Sequence, residues 1–150
     1  MYVLTSTAEL NAPADLLWDL LTDVEQWPTW DPHEEASRLD GAFVSGTHLW
    51  TKPTGAPAST AVLEDVRPGV SWAAHCPLPG GILRSTTTLC PIDAGRTTIT
   101  RSMEVSGPFT LLFRLWWGPR ILADHPRSFA AAEREANRRV PRRSPADQHG

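Results

Sequence analysis

The spacing of hydrophobic positions changes period twice along this chain and divides it into three parts. Residues 2–10, Tyr-Val-Leu-Thr-Ser-Thr-Ala-Glu-Leu, are β-prone and alternate loosely, which predicts a first strand. Leu16, Leu17, Leu20, Leu21 and Val24 then recur at helical spacing, with Asp15, Asp19 and Asp23 opposite them. That is a helix with one buried stripe. Asn11 stands where an N-cap is expected, and Pro13 suits the first turn. Pro28 interrupts the pattern, so the segment around Glu25–Trp30 reads as a second short helix or turn. From Glu34 to Val105 the period becomes that of extended chain. Strands are predicted near 35–40, 47–53, 59–67, 70–77, 82–91 and 96–105, separated by Asp40-Gly41, Pro53-Thr-Gly55, Pro68-Gly69, Pro79-Gly80-Gly81 and Asp93-Ala-Gly95. Turns about every dozen residues favour an antiparallel meander over alternating βαβ units. Helical spacing returns at the end. Phe109 to Ala123 is strongly apolar, Gly118-Pro119 predicts a kink, and Asp124 with Pro126 predicts a restart that runs toward Val140. The polar, proline-containing stretch from Pro141 is expected to be a disordered tail.

One strand, two helices, six strands and a long final helix is a distinctive order. Together with Ala12-Pro-Ala-Asp-Leu-Leu-Trp18, Asp23-Val-Glu-Gln-Trp27-Pro-Thr-Trp30, Gly95-Arg-Thr-Thr-Ile-Thr100 and Ser106-Gly-Pro108, it resembles the START-like SRPBCC superfamily. This helix-grip group includes polyketide cyclases and dehydrases, lipid-transfer domains and coenzyme-Q-binding proteins. The resemblance implies an α+β domain over residues 1–140. Its seven-stranded curved antiparallel sheet would wrap a long C-terminal helix, with a ligand cavity between them.

Charge adds an asymmetry. Residues 1–75 hold 11 acids and 3 bases, and residues 76–150 hold 6 acids and 11 bases. Arg134, Arg138, Arg139, Arg142 and Arg143 carry much of the second excess, and a solvated helix end accounts for them without nucleic acid. Arginine outnumbers lysine 13 to 1, a bias that a G+C-rich bacterial genome produces. No apolar run approaches the roughly 20 residues that span a bilayer. The first residues have neither the basic region nor the cleavage site of a signal peptide, so a cytoplasmic location is expected. Cys76 and Cys90 have no metal spacing and are expected as reduced thiols.

Candidate chemistry follows from strand parity. In β-spacing Ile99, Met103 and Val105 form an apolar face, and Arg101 falls on it. A guanidinium there needs a partner. It either anchors a ligand carboxylate, phenolate or carbonyl, or pairs with Glu104, Asp65 or Glu64. Arg84 lies in a strand whose two faces both carry Ser or Thr, so its parity stays open. His48, Trp50 and Lys52 share one face; Val70, Trp72, Ala74 and Cys76 share another, with His75 opposite. Trp50 and Trp72 are candidates for lining a cavity, and Trp30 either lines it or packs at the elbow. Phe109, Leu112, Phe113 and Trp116 make an i, i+3, i+4, i+7 stripe for the core or cavity, while Leu111 and Leu115 point elsewhere. A buried helix explains two apolar sides; so does a portal touching a membrane, a partner or a second subunit. No histidine pair has metal-ligand spacing, no cofactor motif occurs and there is no Gly-x-Ser-x-Gly.

The leading expectation is a monomer or homodimer that binds a small hydrophobic molecule such as a lipid, polyketide or isoprenoid. The candidate ligand-binding set is Trp30, Trp50, Trp72, His75, Arg84, Arg101, Met103, Leu112, Phe113 and Trp116. The resemblance also admits an aromatase/cyclase or dehydrase in which Arg101 and a cavity histidine polarise a carbonyl and move protons. A third possibility is a protein-interaction module like the activators of Hsp90-type chaperones.

Overall fold

The computed structural model describes residues 2–55, 57–78, 80–108 and 110–139, and the tail expected beyond Val140 lies outside them. The strands are β1 (Tyr2–Leu10), β2 (Glu34–Leu39), β3 (His48–Pro53), β4 (Ser59–Arg67), β5 (Ser71–Leu78), β6 (Gly81–Asp93) and β7 (Arg96–Ser106). They form one antiparallel sheet in the order β1-β7-β6-β5-β4-β3-β2. Between β1 and β2 run helix α1 (Ala14–Thr22), a 3₁₀ turn at Val24–Gln26 and helix α2 (Trp27–Trp30). The chain ends in the short helix α3 (Thr110–Leu112), a π-helical turn at Phe113–Trp117 and the long helix α4 (Gly118–Arg139).

Directly paired residues on neighbouring strands share a face, so the register fixes the inner side of the sheet. Leu10, Leu49, Leu63, Trp72, Leu89 and Ile99 converge there with Leu17, Leu20, Leu21 and Val24 from the first helical region. Phe129, Ala132 and Ala136 of α4 close the same core. A smaller cluster of Leu4, Val105 and Phe113 covers the other end. The small alanines let α4 lie close to the sheet, and Leu17 and Leu20 are fully buried. This is the helix-grip architecture that the resemblance implies.

Three local expectations are corrected. Asn11 is not the cap of α1: Pro13 takes that position without a side-chain bond, and the Asn11 N–H donates to Glu133 Oε2 at 2.7 Å. Helix α4 does not restart at Asp124 but runs unbroken through Pro126. Pro126 leaves the Leu122 carbonyl without its helical donor, and Leu122 is exposed, so water can satisfy it. The irregularity expected at Gly118-Pro119 lies just upstream, where the Gly118 N–H reaches back five residues to the Phe113 carbonyl. Gly107 joins the sheet to this helical region. At φ +101° it approaches so closely that an added Cβ would sit 2.6 Å from the Gly80 carbonyl oxygen.

This packing predicts a contrast between two leucines. Leu20→Ala should destabilise the fold by about 3 kcal/mol, because it opens a cavity at a fully buried site. Leu115→Ala, at a position 70% exposed, should stay within about 0.5 kcal/mol of the parent in urea unfolding.

Candidate functional site

Register places one row of inner-face residues across four strands: Ser6 opposite Arg101, Arg101 opposite Thr87, and Thr87 opposite Trp72. Arg101 is thus set in the middle of the concave wall. Its Nε lies 3.4 Å from Thr87 Oγ1, a long contact, and the guanidinium carbon lies 5.7 Å above the Phe129 ring. Among the described residues no carboxylate comes within 4 Å of it. Glu64 and Asp65, named above as alternative partners, hold Arg84 on the outer face at 3.2 and 2.8 Å. Glu104 sits opposite Arg84 on that same face. Burial weakens the hold of Arg101 on its proton, and the fields of Asp31 and Glu34 oppose that effect.

Glu34 reaches this interior through a bulge. Ser37 and Leu39 pair with Thr51 and Leu49 on the inner face. Regular alternation from them would turn Glu35 inward and Glu34 outward. The register shifts between Glu34 and Ala36, so Glu34 instead pairs with Pro53 and faces in. Glu35 is left outside, where Lys52 Nζ donates to it at 3.0 Å. Glu34 Oε2 is buried and has no hydrogen-bond partner. Burial, with Asp31 close by, raises its pKa from 4.5 to about 7, and Arg101 pulls the other way.

A third orphan completes the set. The buried Trp30 Nε1 has no acceptor, whereas Trp27 Nε1 donates to the Leu21 carbonyl at 3.1 Å. The interior therefore holds a cation short of an anion, a carboxyl oxygen without a donor and an indole N–H without an acceptor. Native interiors leave few such groups, and each calls for an explanation.

Helix α4 borders the set. His125 is buried and stacks on Phe129, and its Nδ1 is 2.7 Å from Ser6 Oγ. Burial, then Arg101 and His33, push its pKa down to about 4, so it is neutral at physiological pH. One turn on, Ser128 clasps the α2–β2 turn: its hydroxyl lies 2.9 Å from His33 Nδ1 and 3.2 Å from Asp31 Oδ1. His33 Nε2 also meets Asp124 Oδ1 at 3.3 Å. These contacts pin the middle of α4 over the mouth of β2. Further along the inner face Ala74, Cys76, Ser85 and Met103 are only half-buried, so α4 leaves that part of the wall accessible. Their side chains are mostly small.

The candidate residues from the sequence divide by location. Trp30, Arg101, Met103 and Phe113 lie on or against the inner side; Trp72 does too, but is locked edge-to-face with Trp18 and Phe43 in the core. Trp50 does not line the interior. Leu49 takes the inner position of β3, which turns Trp50 outward under the Arg38 guanidinium at 5.5 Å. His75 and Arg84 are paired across β5 and β6 on the outer face, where His75 also meets Glu64 at 3.4 Å. Leu112 and Trp116 are exposed rather than part of a buried stripe, because the π turn widens the helix and breaks the i, i+3, i+4 phase. Phe109 lies outside the described residues. Sequence reasoning missed Asp31, His33, Glu34, His125 and Ser128. His125, Ser128, Phe129, Ala132 and Ala136 do keep helical spacing, and that was the available signal.

Two surface grooves occur elsewhere. One, of about 240 Å³, is lined by His75, Ile82, Arg84 and Glu104; the other, of about 290 Å³, lies between Thr22–Glu25 and Leu39–Phe43. Neither is lined by Arg101, Glu34 or Trp30. Among the described residues no cluster of three His, Cys, Asp or Glu side chains can hold a metal ion.

The family model for polyketide cyclase/dehydrase and lipid transport matches residues 1–134. The chain belongs to this family. A search of curated proteins by sequence finds no match. Solved structures share the fold at low identity. The Zhui aromatase/cyclase from a Streptomyces species is 18% identical, with 94% of this chain and 96% of that one covered and a TM-score of 0.71. Norcoclaurine synthase from Thalictrum flavum, solved with dopamine and hydroxybenzaldehyde, is 15% identical, with 94% and 89% covered and a TM-score of 0.71. The di-domain aromatase/cyclase BexL is 18% identical with a TM-score of 0.70; the match covers 93% of this chain and 47% of BexL, so the chain spans about half of that protein.

The interior groups predict a pH signature. Folding raises the Glu34 pKa from 4.5 to about 7, so between these values the folded state keeps a proton that the unfolded chain releases. Stability therefore falls as pH rises through that window, by about 3 kcal/mol in all. His125 acts in the opposite sense: its pKa drops from 6.5 to about 4, so stability is lost as pH falls through that range. In paired urea titrations, Glu34→Gln should gain on the parent from pH 4.5 to 7 and hold a constant lead above it. A difference independent of pH would place the Glu34 carboxyl in water.

Proposed function

We propose that this protein binds a small, largely apolar molecule on the inner face of the sheet and holds one of its oxygens on Arg101. The observation that carries this reading is an arginine half-buried on the concave wall, its guanidinium holding one long hydrogen bond and no carboxylate within 4 Å among the described residues. Fixed donors in a site shielded from water act strongly on an incoming oxygen. Apolar walls with a few convergent polar groups are the usual makeup of such a site. Trp30 Nε1 offers a second donor, and the half-buried strip of Ala74, Ser85 and Met103 offers room for an apolar body. Family membership supports a hydrophobic ligand of lipid or polyketide type, and an isoprenoid has the same apolar character.

Glu34 favours a second reading, a cyclase- or dehydrase-like enzyme. A carboxyl that titrates near 7 can both take and return a proton at neutral pH. With a carbonyl oxygen on Arg101, Glu34 would remove a proton from the adjacent carbon. The electron pair would move onto the oxygen and the enolate would be held by the guanidinium. His125, neutral and bonded to Ser6, is the interior histidine available to assist.

The binding reading is tested with 2-naphthoate and naphthalene, probes of one size that differ in the carboxylate. Calorimetry should show naphthoate binding at least tenfold more tightly, with that preference lost in Arg101→Gln. A charged and a neutral probe bound equally well, or a preference unchanged in Arg101→Gln, would refute a role for Arg101 in holding oxygen.

A further inference from the structure

We infer that the surface of the α3–α4 junction is a docking face for an anionic lipid bilayer. Leu111, Leu115 and Trp116 are 65%, 70% and 62% exposed, and Leu112 and Leu122 stand beside them at 42% and 39%. Five large apolar side chains in one twelve-residue stretch form a patch, unlike the scattered apolar residues of an ordinary surface. Its charge is one-sided. Thr110 to Ala123 contains Arg114 and Arg120 and no acid, and Arg127 follows, exposed, on the next turns. The first acid, Asp124, is engaged by His33 at 3.3 Å.

Apolar side chains flanked by arginines match the headgroup–acyl boundary of a negatively charged leaflet. Leucines enter the acyl region, tryptophan settles at the headgroup level and guanidiniums meet lipid phosphates. A soluble protein partner would need an apolar surface with matching acids, whereas an anionic bilayer supplies both features everywhere. The segment is suited to lying on a membrane rather than crossing it, since no helix among the described residues is long and apolar enough to span.

The π turn explains how one short segment serves two environments. Phe113 points inward onto Leu4 and Val105, while its neighbours Leu112, Arg114, Leu115 and Trp116 point out. The widened turn rotates Leu112 and Trp116 off the stripe they would share with Phe113 in a regular helix, beside Leu115 on the outer side. Gly118, where an added Cβ would lie 3.1 Å from the Phe113 carbonyl oxygen and from the Tyr2 ring, holds the turn against β1. Arg114 leans over the Tyr2 ring at 6.0 Å and stays exposed.

The test is flotation of the whole protein with vesicles of phosphatidylcholine, alone or mixed with phosphatidylglycerol, at low and high salt. The protein should float with the mixed vesicles, far less with phosphatidylcholine alone, and lose binding as salt rises. The double change Leu115→Glu with Trp116→Glu should weaken partition at least about tenfold. Arg114→Gln with Arg120→Gln should weaken it about fivefold per arginine removed. Circular dichroism and urea midpoints confirm that each variant folds, and Leu115→Ser with Trp116→Ser replaces the glutamates if they disturb it. Protein that stays unbound with both vesicle types, or binds them equally, overturns the inference. So do variants that float like the parent. A parent that is a dimer by light scattering, made monomeric by the Leu115 and Trp116 changes and indifferent to vesicles, would assign the patch to a second copy of the chain.

Discussion

A guanidinium leaves water at a high energetic cost, and a fold that draws one partly out of water without a carboxylate beside it must gain something from keeping it. Arg101 occupies the middle strand of its neighbourhood, with β1 on one side and β6 on the other. Everything around it answers to that placement. Ser6 and Thr87 flank it in register, Phe129 offers its ring face, and His125 stays neutral rather than adding a second cation. Asp31 and Glu34 supply negative potential from a distance without closing on it.

Glu34 and Arg101 together show how the same burial acts in opposite directions on an acid and a base. Desolvation pushes the Glu34 pKa up and weakens the proton affinity of Arg101, and each opposes the shift of the other. The outcome at neutral pH is an interior where a fixed cation lies near a carboxyl close to its midpoint. Binding an oxygen anion to Arg101 would weaken the field that favours ionised Glu34 and so draw a proton onto it. Under the proposed function, the ligand site and the proton site are thereby coupled. The clasp of Ser128 on Asp31 and His33 keeps α4 in register with both.

Much of the fold was legible in the sequence because the signals are local. Glycine turns and alternation marked the strands, and the leucines of α1 marked its buried stripe. Arg101 was legible for the same reason: Ile99, Met103 and Val105 fix the parity of β7. Arg84 was not, since Ser and Thr occupy both faces of β6, and only the pairing of Thr87 with Arg101 orients that strand. Trp50 shows that shared parity does not say which face is inside. Glu34 escaped because a bulge reverses the alternation on which such a reading depends. His33 and Ser128 are 95 residues apart, so only the closed fold brings them together. Leu112 and Trp116 were misplaced by a helix that changes pitch, which residue spacing does not reveal.

The most direct test of the coupled interior is ¹³C NMR of the Glu34 carboxyl carbon through a pH titration, in the parent and in Arg101→Gln. A midpoint near 7 that moves higher when Arg101 is lost would show a desolvated carboxyl held down by the neighbouring guanidinium. A midpoint near the ordinary carboxylate value of 4.5, unmoved by the substitution, would mean that water reaches both groups and that the interior is not the site described here.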